Sequence, residues 1–557
     1  MQLSGAQIII ECLLEQGVDT IFGYPGGAVL PLYDALYQYR DRMRHILTSH
    51  EQGASHAADG YARSTGKVGV CMSTSGPGAT NMVTGIATAY MDSVPMVALT
   101  GNVALPLLGK DSFQEVDIAG ITMPITKHNF IVKDVAELAP TIRLAFQIAQ
   151  EGRPGPVLID LPKDITIHTT SFEPAKPEPI APRVDRLTEK SLAKALSLIE
   201  AAERPMCYVG GGVIRAKASE ELATFLDLID SPACTSLMGS GAINSHNLRF
   251  TGLVGMHGTK VSNMLVSTCD LLVVIGARFS DRVISHASSF AKDAKIIHID
   301  IDPAEIDKNI KSYCSVIGDV KVVLTRLNEQ LKKPLSHTRW MEQVADYKRR
   351  YPIRLDNESA RSKQILKALQ SVLPEDFYIV TEVGQHQMWA AQFIKHVQPG
   401  HFLTSGGLGT MGYGTGASIG AQVGNPKSRV VNVAGDGSFK MNCNELATIA
   451  RYRLPVVILL MNNQTLGMVR QWQTLFFDGN YSETTLDDPI NWVALAEAYG
   501  VKGMRLSADD DPQAILKAAL DLGEAVLVEC EIPLDDKVYP MVAPGAPIEQ
   551  MLGVPEP

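Results

Sequence analysis

At 557 residues the chain is too long for one hydrophobic core, so two to four domains are expected. Composition is that of a globular protein, 45% hydrophobic and 20% charged with a mean hydropathy of +0.04, and no apolar run approaches the 18 residues of a membrane span. A net charge of −10 offers no basic footprint for nucleic acid, so nucleic-acid and membrane partners are set aside.

The N-terminus, Met1 to Gln7, lacks a basic leader region and reads as the opening of a helix. The eight cysteines are scattered without a CxxC pair, which sets zinc and disulfides aside and fits reduced thiols in a cytoplasmic protein. Apolar strand-like runs alternate with helical patterns along the whole chain, the signature of α/β layers. A first domain, residues 1–170, closes on the apolar run Pro156 to Pro162. Residues 171–186 carry Pro174, Pro177, Pro179 and Pro182 and read as an extended linker. A central domain, 187–335, contains the run Met206 to Val209 leading into Gly210-Gly211-Gly212, then runs at 271–276 and 295–300. That glycine triplet lacks a full GxGxxG with an acid about 20 positions later, which argues against a dinucleotide-dependent dehydrogenase. A polar stretch at 336–360 reads as a second linker, and a third domain occupies 361–557.

The third domain holds the most informative pattern. The apolar run Arg429 to Ala434 ends in Gly435-Asp436-Gly437-Ser438, and the run Pro455 to Met461 ends in Asn462-Asn463, with a helical segment at Asn444 to Ala450 between them. Asn463 follows Asp436 by 27 positions (463 − 436). Two adjoining parallel strands would bring these ends together where open α/β sheets bind ligands. One carboxylate and one amide oxygen suit a hard cation such as Mg²⁺, which fills its shell with phosphate and water. The flanking glycines let backbone approach that phosphate.

This unit resembles the signature of thiamine diphosphate enzymes. The resemblance implies three doubly wound parallel-sheet α/β domains, the first binding the cofactor's aminopyrimidine half and the third its diphosphate. It implies Mg²⁺ on Asp436, Asn463 and the carbonyl of Thr465, with Gly437, Ser438, Leu466, Gly467 and Met468 beside them. Gly384, Gln385, His386, Gly409 and Thr410 match further cofactor contacts, and Met411 the apolar fulcrum that bends the cofactor. In the first domain Glu51, in Ser49-His50-Glu51-Gln52-Gly53-Ala54, matches the acid that hydrogen-bonds the aminopyrimidine. Pro25 and Gly27 match the loop that presents backbone N–H groups near the reacting carbon.

The finer pattern resembles the acetohydroxyacid synthase (acetolactate synthase) catalytic subunits over essentially the whole chain. It rests on Asp111-Ser112-Phe113-Gln114-Glu115, Gly152-Arg153-Pro154-Gly155-Pro156, Pro162-Lys163-Asp164, Gly255-Met256-His257-Gly258, Gly276-Ala277-Arg278-Phe279-Ser280-Asp281-Arg282-Val283 and Leu466-Gly467-Met468-Val469-Arg470-Gln471-Trp472. By resemblance Gln114 and Lys163 serve oxyanion and carboxylate groups, and Phe113, Lys163, Met468 and Trp472 line the substrate site. FAD, with no net redox role, is implied at Arg153, Gly210, Gly211, Gly212, Thr235, Leu237, Met238, Gly255, Met256, His257, Gly276, Arg278, Asp281, Arg282, Asp300, Ile301, Asp319 and Val320. The implied substrates are small 2-oxo acids on the route to branched-chain amino acids. The implied assembly is a homodimer or homotetramer with its cofactor between chains, leaving room for a regulatory small subunit. Asn102, Lys110, Ser280 and Thr415-Gly416 depart from the usual residues of that family. The rivals on the same scaffold are a FAD-free catabolic acetolactate synthase and a pyruvate oxidase or decarboxylase.

Overall fold

A computed structural model describes residues 1–352 and 360–554; the end of the expected second linker, 353–359, lies outside the described residues. Three six-stranded sheets follow one another along the chain, each parallel throughout. Their strands are apolar runs such as Leu271–Ile275 and Val457–Asn462, buried on both faces because the crossover helices cover both.

Counted in chain order within each domain, the first sheet runs 2-1-3-4-6-5 and so does the third. The central sheet runs 3-2-1-4-5-6, the strand order of dinucleotide-binding domains. Its order reverses between Pro205–Val209 and Leu271–Ile275. In the third sheet the reversal lies between Phe377–Thr381 and Arg429–Gly435.

The outer domains are fused through helices Glu51–Thr65 and Tyr413–Gly424. Small residues make this contact possible: a Cβ on Gly60 would overlap the Ala417 carbonyl, and one on Gly416 would stand 2.9 Å from the Gly53 carbonyl oxygen. Buried charges reinforce it. Arg63 pairs with Asp59 at 2.6 Å and Asp92 at 2.9 Å, and the Tyr413 hydroxyl donates to Asp59 at 2.7 Å. The C-terminal segment lies on the central domain, where the Val542 N–H donates to Met256 and Asn263 donates to the Ile548 carbonyl.

Two local expectations change. The first residues form strand Gln2–Ser4, paired antiparallel with Thr169–Ser171, before helix Gly5–Glu15 begins at a Ser4–Gln7 capping box. The partner strand is far along the chain, so local pattern could not show it. The stretch read as a second linker contains helix Thr338–Arg350, anchored by buried Trp340 and Val344, with the Trp340 indole donating to the Pro205 carbonyl at 2.8 Å. All eight cysteines are unpaired.

Candidate active site

Asp436 and Asn463 stand at the carboxyl ends of neighbouring parallel strands, where Gly435 is in register with Met461. Both are buried. Burial pushes the Asp436 carboxyl up to about 7, against backbone hydrogen bonds from Gly437, its own amide and Gln464. No lysine or arginine forms an ion pair with it among the described residues, so a bound cation would relieve the cost of burying this carboxylate. Beside it His386 is buried with its Nε2 unpartnered, and burial holds its imidazole neutral, at about 3. The two sites together suit a metal–phosphate group, with an oxygen pair for the ion and a ring nitrogen for a phosphate oxygen.

Glycines make the crevice narrow. A Cβ on Gly437 would stand 2.5 Å from Leu466 Cδ2, and one on Gly467 would overlap the Gln385 amide oxygen and lie 2.8 Å from Asn463 Nδ2. Gln385 is fixed by donating to Gln471 at 3.0 Å and to the Asp536 carbonyl at 2.8 Å. The resulting cavity of about 60 Å³ gathers Gly384, Gln385, His386, Met411, Asp436, Gly437, Ser438, Asn463, Thr465, Leu466, Gly467 and Met468.

At Val383, Gly384, Met468 and Val469 this crevice meets a second cavity of about 1100 Å³. That one spreads over the reversal point of the central sheet, and its walls include Arg153, Gly211, Gly212, Leu237, Met238, Met256, His257, Gly276, Arg278, Arg282, Asp300, Ile301, Asp319 and Val320. A Cβ on Gly212 would stand 2.7 Å from Gly276 Cα, so backbone alone forms this part of the crevice. Trp472, one helical turn after Met468 on Gly467–Phe476, lines the same cavity, and the Arg282 guanidinium stands 5.7 Å from its ring centre.

Three profiles of thiamine pyrophosphate enzymes match the chain: the N-terminal TPP binding domain over residues 3–121, the central domain over 192–327 and the C-terminal TPP binding domain over 382–530. A probable acetolactate synthase large subunit of Methanocaldococcus jannaschii is 48% identical, covering 98% of this chain and 94% of its own length. The acetolactate synthase isozyme 2 large subunit of Escherichia coli K12 is 45% identical, covering 99% of each chain. The acetolactate synthase large subunit of Porphyra purpurea is 44% identical over all of this chain and 96% of its own. The chain belongs to the acetolactate synthase large-subunit family. It is a thiamine pyrophosphate-dependent enzyme of the carboligase type, as the resemblance implies.

Several residues expected at the site lie elsewhere within one chain of this large-subunit fold. Glu51 opens helix Glu51–Thr65 and accepts from Asn81 Nδ2 at 2.9 Å, but it does not line the crevice of Asp436. Pro25, Gly27, Gln114 and Lys163 belong with Glu51 to the first domain, and Phe113 is 87% exposed. Gly409 lines the large cavity, and the Thr410 hydroxyl bonds that of Thr88 at 2.7 Å. Gly210, Thr235 and Gly255 stand one layer behind the large cavity, and the Asp281 side chain is exposed.

Three departures have local explanations. Asn102 donates to Asp160 at 2.5 Å and accepts from the Val103 N–H, so its amide is satisfied inside the sheet. Ser280 caps helix Asp281–Ile284 by accepting from the Arg282 N–H. Thr415 donates through both its N–H and its hydroxyl to buried Glu382, at 2.9 and 3.1 Å. Nothing in the structure explains Lys110.

Sequence reasoning missed Glu382 and Arg215. Glu382 directly follows the apolar strand Phe377–Thr381, the same strand-end signal that exposed Asp436. Arg215 lines the large cavity at the end of helix Gly211–Arg215, and burial lowers its guanidinium to about 10. A basic residue three positions after the glycine triplet was the available signal.

Proposed function

We propose that this chain is an acetolactate synthase: it decarboxylates pyruvate and joins the retained two-carbon unit to a second 2-oxo acid. Pyruvate as acceptor gives 2-acetolactate, and 2-oxobutyrate gives 2-aceto-2-hydroxybutyrate, with one CO2 released in each case. The observation that carries this reading is the convergence of Asp436, Asn463 and unpartnered His386 on a glycine crevice that opens onto Met468 and Trp472. Bound thiamine diphosphate supplies the carbon nucleophile and the electron sink for decarboxylation. Asp436, Asn463 and the Thr465 carbonyl would hold Mg²⁺, with His386 and the backbone around Gly437 and Gly467 on the diphosphate. Met411 would support the cofactor's bend. Glu51 would exchange a proton with the aminopyrimidine ring. The backbone at Gly27, with Gln114 and Lys163, would meet oxyanion and carboxylate groups, while Phe113, Met468 and Trp472 form apolar walls for the acceptor.

The large cavity would hold FAD along Arg153, Gly211, Gly212, Gly276, Arg278 and Asp300. The cavity lies at the reversal point of the central sheet, and the Arg278-Phe279-Ser280-Asp281-Arg282 segment and Trp472, which contribute Arg278, Arg282 and Trp472 to its walls, support this over a flavin-free catabolic enzyme. We place the domains at 1–170, 187–335 and 361–557. A homodimer or homotetramer completes the proposal, since Glu51 lines neither the Asp436 crevice nor the large cavity beside it, and a regulatory small subunit fits the naming of the relatives as large subunits. Eight unpaired thiols fit a cytoplasmic setting.

The test is incubation of pure protein with pyruvate, thiamine diphosphate, Mg²⁺ and FAD, with products identified by mass. Acetolactate formation and a yellow holoenzyme are expected. Acetaldehyde or acetate as the sole product would overturn carboligation in favour of a decarboxylase or oxidase.

A further inference from the structure

Strand Phe377–Thr381 delivers Glu382 to its carboxyl end, just before the crevice residues Val383 and Gly384, where its side chain is wholly buried and its N–H donates to the Val433 carbonyl at 3.0 Å. Oε1 accepts from the Thr415 N–H at 2.9 Å and the Thr415 hydroxyl at 3.1 Å, and Oε2 accepts from the Ser438 hydroxyl at 2.8 Å. No lysine, arginine or histidine pairs with it among the described residues. Every donor is neutral, which is an expensive way to bury a carboxylate unless its position matters.

The three donor groups come from two separate segments, the first turn of helix Tyr413–Gly424 and the helical turn Asp436–Phe439. Helix Tyr413–Gly424 starts after Gly412, which sits at φ +84 and offers no side-chain cap. Glu382 takes over first-turn N–H groups from a neighbouring strand, and its carboxyl faces the positive end of the helix, where hydrogen bonds from Ser438 and Thr415 oppose the upward push of burial. Ser438 extends the link: its oxygen also accepts from the Gly412 N–H at 3.2 Å and the Val383 N–H at 3.4 Å. Gly412 directly follows Met411, and Ser438 is two residues past Asp436. One carboxylate therefore ties the loop bearing Met411 to the turn bearing Asp436, and both residues line the small cavity.

We propose that Glu382 is a positioning residue, a carboxylate strut with Thr415 and Ser438 that sets Met411 against Asp436 and so presets the crevice for the cofactor. The inference rests on the reading of that crevice as the diphosphate site. It assigns Thr415 a purpose that its place in a helix would not suggest.

Calorimetric titration of thiamine diphosphate with Mg²⁺ into the full-length protein tests it, alongside amide hydrogen exchange of the cofactor-free protein. Glu382→Gln is expected to weaken cofactor binding about tenfold, the scale of one hydrogen bond to a charged group. It should also speed exchange at both Gly412–Thr415 and Asp436–Ser438. If Glu382→Gln does not fold, Thr415→Val carries the test: binding several-fold weaker than wild type, restored by Thr415→Ser, which keeps the hydroxyl. A simple helix cap would lower the melting temperature yet leave cofactor affinity at the wild-type value in Glu382→Gln, and that result overturns the proposal. Equal affinity in Thr415→Val and Thr415→Ser does so as well. Wild-type protein that binds no thiamine diphosphate would instead overturn the diphosphate reading itself.

Discussion

The central and third domains each open a crevice where the strand order of their sheet reverses, yet the two differ almost twentyfold in volume, about 1100 against 60 Å³. Both use glycines, but to different ends. In the third domain glycines draw side chains inward: Leu466, Gln385 and the His386 ring pack against Gly437, Gly467 and Gly435. What remains is a slot with one buried carboxylate and one unpartnered imidazole. In the central domain glycines pack against each other, Gly212 on Gly276, and leave the space above them open toward the neighbouring domains. A reversal point thus supplies a place for a ligand, and the residues after each strand decide whether it grips a small charged group or accommodates an extended one.

Breaking the third-domain crevice should leave the central one intact. Asp436→Ala removes the only charged ligand proposed for Mg²⁺. Loss of thiamine diphosphate affinity by about 100-fold or more is expected, since even partners behind metal ligands are worth 10–100-fold. Flavin absorbance of the purified variant should stay at the wild-type level. Loss of both cofactors together would mean that the two crevices are not independent.

Glu51→Gln probes the first domain, whose sheet repeats the strand order of the third but carries its acid on a helix start. Cofactor affinity should hold while exchange of the bound cofactor's C2 hydrogen slows by roughly 10²–10⁴-fold, measured by NMR after acid quench. Mixed with Asp436→Ala under verified subunit exchange, it should regain activity, because one site of a mixed dimer keeps both residues. No recovery would place both halves of the site within one chain.

A narrower effect is expected at Trp472, which lines the large cavity one helical turn past the junction at Met468. One methylene against an apolar wall is worth about 1–3 kcal/mol, or 10–200-fold. The intact enzyme should therefore favour 2-oxobutyrate over pyruvate in a competition assay, and Trp472→Leu should erase most of that preference. An unchanged product ratio would remove Trp472 from the acceptor wall and turn attention to Arg282 beside it.

The smallest effect belongs to the central crevice. Burial pushes Asp300 up to about 6, above its ordinary carboxylate range, while the Asp302 N–H and Arg153 oppose the shift. A raised folded-state value means that the folded protein holds the proton more tightly than the unfolded chain. Stability from this group is thus full below about pH 4 and declines as pH rises through about 6. Asp300→Asn should flatten the melting-temperature profile of the flavin-free protein across that window by a few degrees at most. A profile identical to wild type would show Asp300 titrating at its ordinary value.

Sequence alone placed most of the third-domain slot, because strand-end motifs such as Gly435-Asp436-Gly437 and Asn462-Asn463 are local and a parallel sheet aligns their ends automatically. The strand runs were legible for the same reason, although Val457–Asn462 begins two residues later than the apolar run, past Pro455, which has no N–H for the ladder. The N-terminal strand was not legible, since it depends on a distant partner, and helix Thr338–Arg350 was masked by its charged composition although Trp340, Met341, Val344 and Tyr347 recur at helical spacing on its packed face.

What the chain's sequence determined was therefore its class, its three α/β layers and the chemical types gathered at each strand end, all set by patterns within a few tens of residues. Tertiary packing decided the rest. It put Arg282 of one domain on Trp472 of another, kept Glu51 out of the Asp436 slot, and brought Thr415 and Ser438, 33 and 56 positions away, onto Glu382. Those relations come from closing glycine-rich helix faces and sheet crossovers around a common core, and no local pattern encodes distances across such a core.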